Sequence, residues 1–90
     1  MNIIWDENKN EWLVINRGIS FEEISAKLTN NDYLDILENP TRKDQFYFVL
    51  NINNYIWIVP FLLNEKEKIV LKTAFPSRKF QKKYKKFLHN

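Results

Sequence analysis

Cysteine is absent from this 90-residue chain, which removes disulfide frameworks and thiolate metal sites together. Histidine is almost as scarce. The one copy, His89, stands beside the last residue, so no histidine cluster can bind a metal, and it is assigned no role. No metal or other cofactor is expected. Long apolar runs are missing too: Tyr55–Leu63 is nine residues and contains Pro60. A bilayer span needs roughly 20. The opening Met1-Asn2-Ile3-Ile4-Trp5-Asp6 lacks the basic start and apolar stretch of a signal peptide. The expected location is cytoplasmic, with no membrane among the partners.

One absence is local. Residues 72–90 hold seven Lys/Arg and no acid, while residues 1–71 hold seven Lys/Arg against all eleven Asp/Glu. The balances are +7 and −4, hidden beneath a net charge of +3. A split of this kind points to a polyanion-binding surface at one end, or to a docking site for an acidic partner.

Ninety residues fill one domain, 1–90, and an aromatic content of 16% can supply much of its core. Asn2–Trp5 reads as a short strand. Asp6 then caps a helix whose buried stripe is Trp12 and Ile15 with Leu13. Gly18, the only glycine, sits where a helix end needs positive φ. Ser20-Phe21-Glu22-Glu23 is a capping box opening a second helix, with Ile19 and Ile24 as its staple and Phe21, Ile24 and Leu28 inward.

Strands follow: Tyr33–Leu37, then Gln45–Ile52 and Tyr55–Leu63 joined by the turn Asn53-Asn54, then Lys68–Ala74. Pro60 marks a bulge or a strand end. Ser77 caps a terminal basic helix with Phe80, Tyr84, Phe87 and Leu88 on one face. The order is β-α-α-β-β-β-β-α. The expected fold class is α+β, an antiparallel sheet of four to five strands with two N-terminal helices and one C-terminal basic helix.

Three stretches carry a family resemblance: Ile4-Trp5-Asp6-Glu7-Asn8-Lys9, Arg17-Gly18-Ile19-Ser20-Phe21-Glu22-Glu23, and Lys72-Thr73-Ala74-Phe75-Pro76-Ser77-Arg78-Lys79. In that order they resemble the BrnT family of bacterial toxins. The family pattern has a Trp-Asp-x-x-Lys start, a His-Gly-x-x-Phe corner and a final strand running into a Ser-Arg-Lys basic helix. The resemblance implies a RelE-like fold and the toxin of a type II toxin–antitoxin system, an endoribonuclease that inhibits translation. Its implied partners are RNA and a cognate ribbon-helix-helix antitoxin, with DNA reached only through that antitoxin. The chain departs from the pattern at the corner, where Arg17 replaces the His, and in the final strand, where Lys72 stands in place of an Arg-rich run.

RNA cleavage by attack of the ribose 2′-OH on the adjacent phosphate needs cations and a proton acceptor, and no metal. The catalytic candidates are Arg78 and Lys79 at the start of the terminal helix, Lys72 on the last strand, and Arg17 at the corner. Lys82, Lys83, Lys85, Lys86 and Lys9 read as RNA-binding phosphate contacts.

Plainer readings stand beside these. Arg78 and Lys79 could be solvated helix charges, Arg17 could offset a helix dipole, and Lys9 could pair with Asp6. Tyr84 and the tryptophans Trp5, Trp12 and Trp57 read as core. Asp6, Glu7 and Glu11 read as caps and surface charges rather than paired catalytic carboxylates. A second functional reading is a non-catalytic module whose basic helix docks RNA or an acidic protein segment. The missing His complement favours that module, and the motif order favours the toxin.

Overall fold

The computed structural model describes residues 2–88. In chain order it contains β1 (Ile3–Trp5), α1 (Glu7–Arg17), α2 (Phe21–Thr29), β2 (Asp35–Glu38), β3 (Gln45–Ile52) and β4 (Tyr55–Leu63). There follow β5 (Ile69–Leu71), β6 (Phe75–Pro76), α3 (Arg78–Lys83) and a 3-10 turn, Lys85–Phe87. His89 lies outside the described residues.

The β3–β4 hairpin is the frame. Asn53 and Asn54 have φ of 52° and 65°, the double left-handed geometry of a type I′ turn, whose twist matches that of paired strands. From that turn the register runs without a bulge from Ile52↔Tyr55 to Gln45↔Leu62. Both faces of the hairpin are apolar. Phe48, Leu50, Ile52, Val59 and Phe61 pack with Leu13, Ile19, Phe21, Ile24 and Leu28 of the N-terminal helical layer. Val49, Ile56 and Ile58 pack on the other face with Tyr84 and Phe80. The Phe48 and Phe61 rings stack at 4.2 Å.

The sheet has six strands, in the order β1-β5-β4-β3-β2, with β6 also paired to β4. It is mixed rather than antiparallel as expected, because β1 pairs parallel to β5, Ile3 opposite Ile69. No turn joins these two strands, so nothing local dictates their relative direction. β1 lies along the open edge of β5 and delivers Asp6 to the start of α1.

The last strand breaks where the sequence reads as continuous. Pro60 produces the break without bulging or ending β4. Its carbonyl accepts from the Lys72 N–H at 2.9 Å, but it has no N–H to return. The β4–β5 ladder stops there. Beyond that bond three residues, Lys72–Ala74, stand against two, Val59 and Pro60, and the regular pairing lapses until the chain rejoins β4 as β6, with Phe75 opposite Ile58 and Pro76 opposite Trp57.

The N-terminal layer follows the sequence at its caps and departs at its stripe. Asp6 caps α1, Gly18 ends it at φ 68°, and both halves of the Ser20/Glu23 capping box form. Of the expected stripe only Leu13 is buried, while Trp12 is 41% and Ile15 81% exposed. A polar residue, Asn10, takes the second inward position. Its Oδ1 accepts from the Phe21 N–H at 2.7 Å, and its Nδ2 donates to Glu7 at 3.0 Å and Glu22 at 2.6 Å. Asn10 thereby caps α2 from a neighbouring helix, which turns Trp12 and Ile15 outward.

The terminal helix is shorter than expected. Tyr84 is buried, but Phe87, beyond the end of α3, is 48% exposed. Gln81 fastens α3 to the hairpin by accepting from the Ile56 N–H at 2.8 Å. The Tyr84 hydroxyl donates to Asp35 Oδ2 of β2 at 2.9 Å.

Two outcomes follow from these anchors. A Cβ at Gly18 would meet nothing within 4 Å, so Gly18→Ala carries only the backbone cost of positive φ. Denaturant titration should show a loss of about 1 kcal/mol, smaller for Gly18→Asn. Burial first, then the Asp35 hydrogen bond and charge, push Tyr84 up to about 12 from 10.0. The folded phenol keeps its proton where the unfolded one ionises. Its contribution is therefore complete below pH 10 and lost as pH rises from 10 to about 12. Tyr84→Phe should cost ~1–3 kcal/mol at neutral pH and flatten the alkaline stability loss, as read by denaturation at a series of pH values.

Candidate nucleic-acid cleft

The lapse in pairing at Lys72–Ala74 creates a partner for α1. Arg17, in the last turn of that helix, donates from Nη1 to the Ala74 carbonyl at 2.6 Å and reaches Thr73 Oγ1 at 3.5 Å. Its guanidinium lies 4.7 Å from the Trp12 ring centroid, with the Lys9 ammonium 4.2 Å from the same ring. The exposed Trp12 ring thus has two cations within cation–π distance, an arrangement that the ring quadrupole favours. Arg17 does more than offset a helix dipole: it ties the corner to the segment between β5 and β6.

Beside that tie lies a cleft of about 380 Å³. Arg17, Gly18, Ile19 and Glu23 form one wall, and Asn53, Tyr55 and Trp57 of the hairpin form the other. Pro76 closes the end, two residues before Arg78. The Arg17-Gly18-Ile19 corner and Pro76, distant in sequence, therefore meet at one opening, which Arg78 does not line. Glu23 Oε1 is occupied by the Ser20 N–H and hydroxyl at 3.3 Å and 3.2 Å, and its second oxygen bonds to no described residue.

The candidate residues fall in three places. Arg17 is on the cleft wall. Lys72 is exposed on the segment that Arg17 ties down, while Arg78 and Lys79 are exposed in the first turn of α3. Lys82 and Lys83 lie further along α3 and Lys85 and Lys86 on the 3-10 turn, all exposed. Lys9 is apart from the rest, at the Trp12 ring. Among the described residues the one ion pair is Lys27–Asp32 at 3.2 Å, so none of the seven cations from Lys72 to Lys86 has a described carboxylate partner. Asp35, which accepts from Tyr84, is a carboxylate at this end of the molecule and forms an ion pair with none of them. Ser77 Oγ does cap α3, accepting from the Phe80 N–H at 3.2 Å, but a helix of six residues gives little dipole for a phosphate.

Tyr84 is a structural residue, since its buried, raised hydroxyl is committed to Asp35. Trp57, Tyr55, Asn53 and Glu23 are the cleft residues that sequence reasoning passed over. The available signal was the turn itself: a two-residue Asn53-Asn54 reversal puts Tyr55 and Trp57, two apart, on one face beside the corner. Among the described residues no group of three His, Cys, Asp or Glu could hold a metal ion. No described helix is long and apolar enough to cross a membrane.

No protein-family model matches the chain, and comparison with curated proteins finds no match. Among solved structures, the crystal structure of the Brucella abortus ribonuclease toxin BrnT is similar, with a TM-score of 0.63 and 26% identity. The similarity covers 86% of this chain and 96% of that one. In fold, and in the order of the motifs at its two ends, this chain is similar to that toxin.

Proposed function

We propose that this protein is the toxin of a type II toxin–antitoxin pair, a metal-independent endoribonuclease neutralised by a cognate antitoxin. The observation that carries the reading is the structural likeness to a ribonuclease toxin over nearly the whole of both chains. The unpaired cations that follow Lys72 support it, since they suit a phosphate backbone. The antitoxin is a DNA-binding ribbon-helix-helix protein, and translation stops because RNA is cut in the cytoplasm.

In this mechanism the ribose 2′-oxygen attacks the neighbouring phosphorus while its proton is accepted by a base. The P–O5′ bond breaks, leaving a 2′,3′-cyclic phosphate, and the departing 5′-oxygen takes up a proton. Arg78 and Lys79, with Lys72, stabilise the extra negative charge on the phosphoryl oxygens. Arg17 holds the Lys72–Ala74 segment against the corner and leaves further N–H donors for a phosphate.

The same corner favours the second reading, the non-catalytic RNA- or acidic-protein-binding module. A guanidinium stays protonated and cannot accept the proton that a histidine could, so Arg17 cannot replace the family's His as a base.

Induced expression without the antitoxin should arrest growth and depress total protein synthesis. Normal growth with abundant soluble protein would count against a toxin. RNA cleavage should persist in excess EDTA, and loss restored by Mg²⁺ would replace this mechanism with a metal-dependent one.

Substitutions separate chemistry from binding. Arg78→Ala and Lys79→Ala should abolish cleavage while shifting stability by no more than ~0.5 kcal/mol. Lys82→Ala and Lys85→Ala should weaken RNA binding and lower its salt slope by about one phosphate each. An equal, modest loss in all four would leave the terminal helix as an electrostatic handle and support the binding module.

A further inference from the structure

The cleft has a composition that phosphate binding alone does not require. A site for phosphate needs cations and N–H donors, yet the hairpin wall presents two aromatic side chains, Tyr55 and Trp57, both half-buried. Trp57 packs at the margin of the core rather than inside it. Its indole N–H bonds to no described residue, whereas that of Trp5 is engaged by Glu7 at 3.2 Å. The opposite wall carries a cation, Arg17, and an exposed carboxylate, Glu23, with one oxygen that bonds to no described residue. Asn53 adds a side-chain amide at the mouth.

Aromatic faces beside a cation suit the stacking of an unpaired base, with its phosphate held nearby. A volume of about 380 Å³ admits one nucleotide and not a duplex. Building on the RNA-cleaving reading above, we infer that the cleft between the Arg17-Gly18 corner and the β3–β4 turn binds one unstacked nucleobase of single-stranded RNA. Trp57 is the stacking platform. Arg17 faces the adjoining phosphate, and Glu23 and Asn53 meet the edge of the base.

The pocket, rather than the basic helix, then supplies base preference, since lysines that contact phosphates carry no sequence information. A carboxylate accepts and cannot donate, so Glu23 suits bases with an amino group on the Watson–Crick edge over uracil. The single N3–H of uracil is flanked by two carbonyl oxygens that would face the carboxylate.

The test is equilibrium binding of the full chain to a short, dye-labelled single-stranded RNA of mixed sequence, made uncleavable by 2′-O-methylation. Heparin serves as a polyanion without bases. Trp57→Leu keeps the site apolar but removes the ring system, and Trp57→Phe retains an aromatic face. Circular dichroism checks that each variant is folded.

Trp57→Leu should bind the RNA at least about fivefold more weakly, Trp57→Phe should stay close to wild type, and heparin binding should be unchanged in both. A mixed-sequence RNA should also bind more tightly than oligouridine. If Trp57→Leu binds RNA like wild type, or loses RNA and heparin binding equally, the inference is overturned. Its failure differs from that of the functional proposal. A protein that cuts RNA with Trp57→Leu fully active and unchanged in RNA affinity keeps the function and loses the base pocket. A protein that binds RNA through Trp57 without cutting it keeps the pocket and loses the nuclease.

Discussion

Eight consecutive residue pairs join β3 to β4, and both faces of that ribbon are covered by apolar side chains. A two-stranded hairpin is marginal by itself, and this one persists because it is clad on each side. α1 and α2 bury Phe48, Leu50, Val59 and Phe61, while α3 and Tyr84 bury Val49, Ile56 and Ile58. Everything else is fixed relative to this ribbon. β2 pairs with one edge, β5 and β6 share the other, and β1 is placed only through β5. The cleft inherits its shape from the same source, since its aromatic wall is the turn end of the hairpin.

The break in the last strand connects fold and site. Had Lys68–Ala74 continued beside β4, Arg17 would have found the Ala74 carbonyl bound within a ladder. Pro60 prevents that by withholding a single N–H, and the freed segment is taken up by Arg17 at 2.6 Å. One missing hydrogen bond on β4 therefore determines where the corner and the basic segment meet. The Lys9–Trp12–Arg17 cluster on α1 supports the orientation of the guanidinium at modest cost, because these side chains stay solvated.

Local features were legible in the sequence. Gly18, the capping box and the Asn53-Asn54 turn each follow from chemistry within a few residues. Non-local features were not. Leu13 was readable as core, but Trp12 and Ile15 were not readable as exposed, because Asn10 holds α1 through bonds to Phe21 and Glu22 on the next helix. Apolar periodicity gives no weight to an asparagine. The parallel pairing of β1 and the loss of Lys72 from its strand likewise depend on partners far along the chain. At the site, the sequence marked an acid-free run of cations from Lys72 onward, and these side chains are exposed. It offered Trp57 only as core, since what exposes that ring to the cleft is the approach of the α1–α2 corner.

That corner and Pro76 come from opposite ends of the chain, and the strand that seats the first residues, β5, is made late in it. The cleft is therefore closed by the part of the chain that is made last among its lining residues. A nascent chain that stops before residue 76 has the sequence of the hairpin and of the α1–α2 corner but lacks Pro76 and every cation beyond Lys72. Such a chain carries both long walls of the cleft without the end that Pro76 closes or the cations that begin at Arg78.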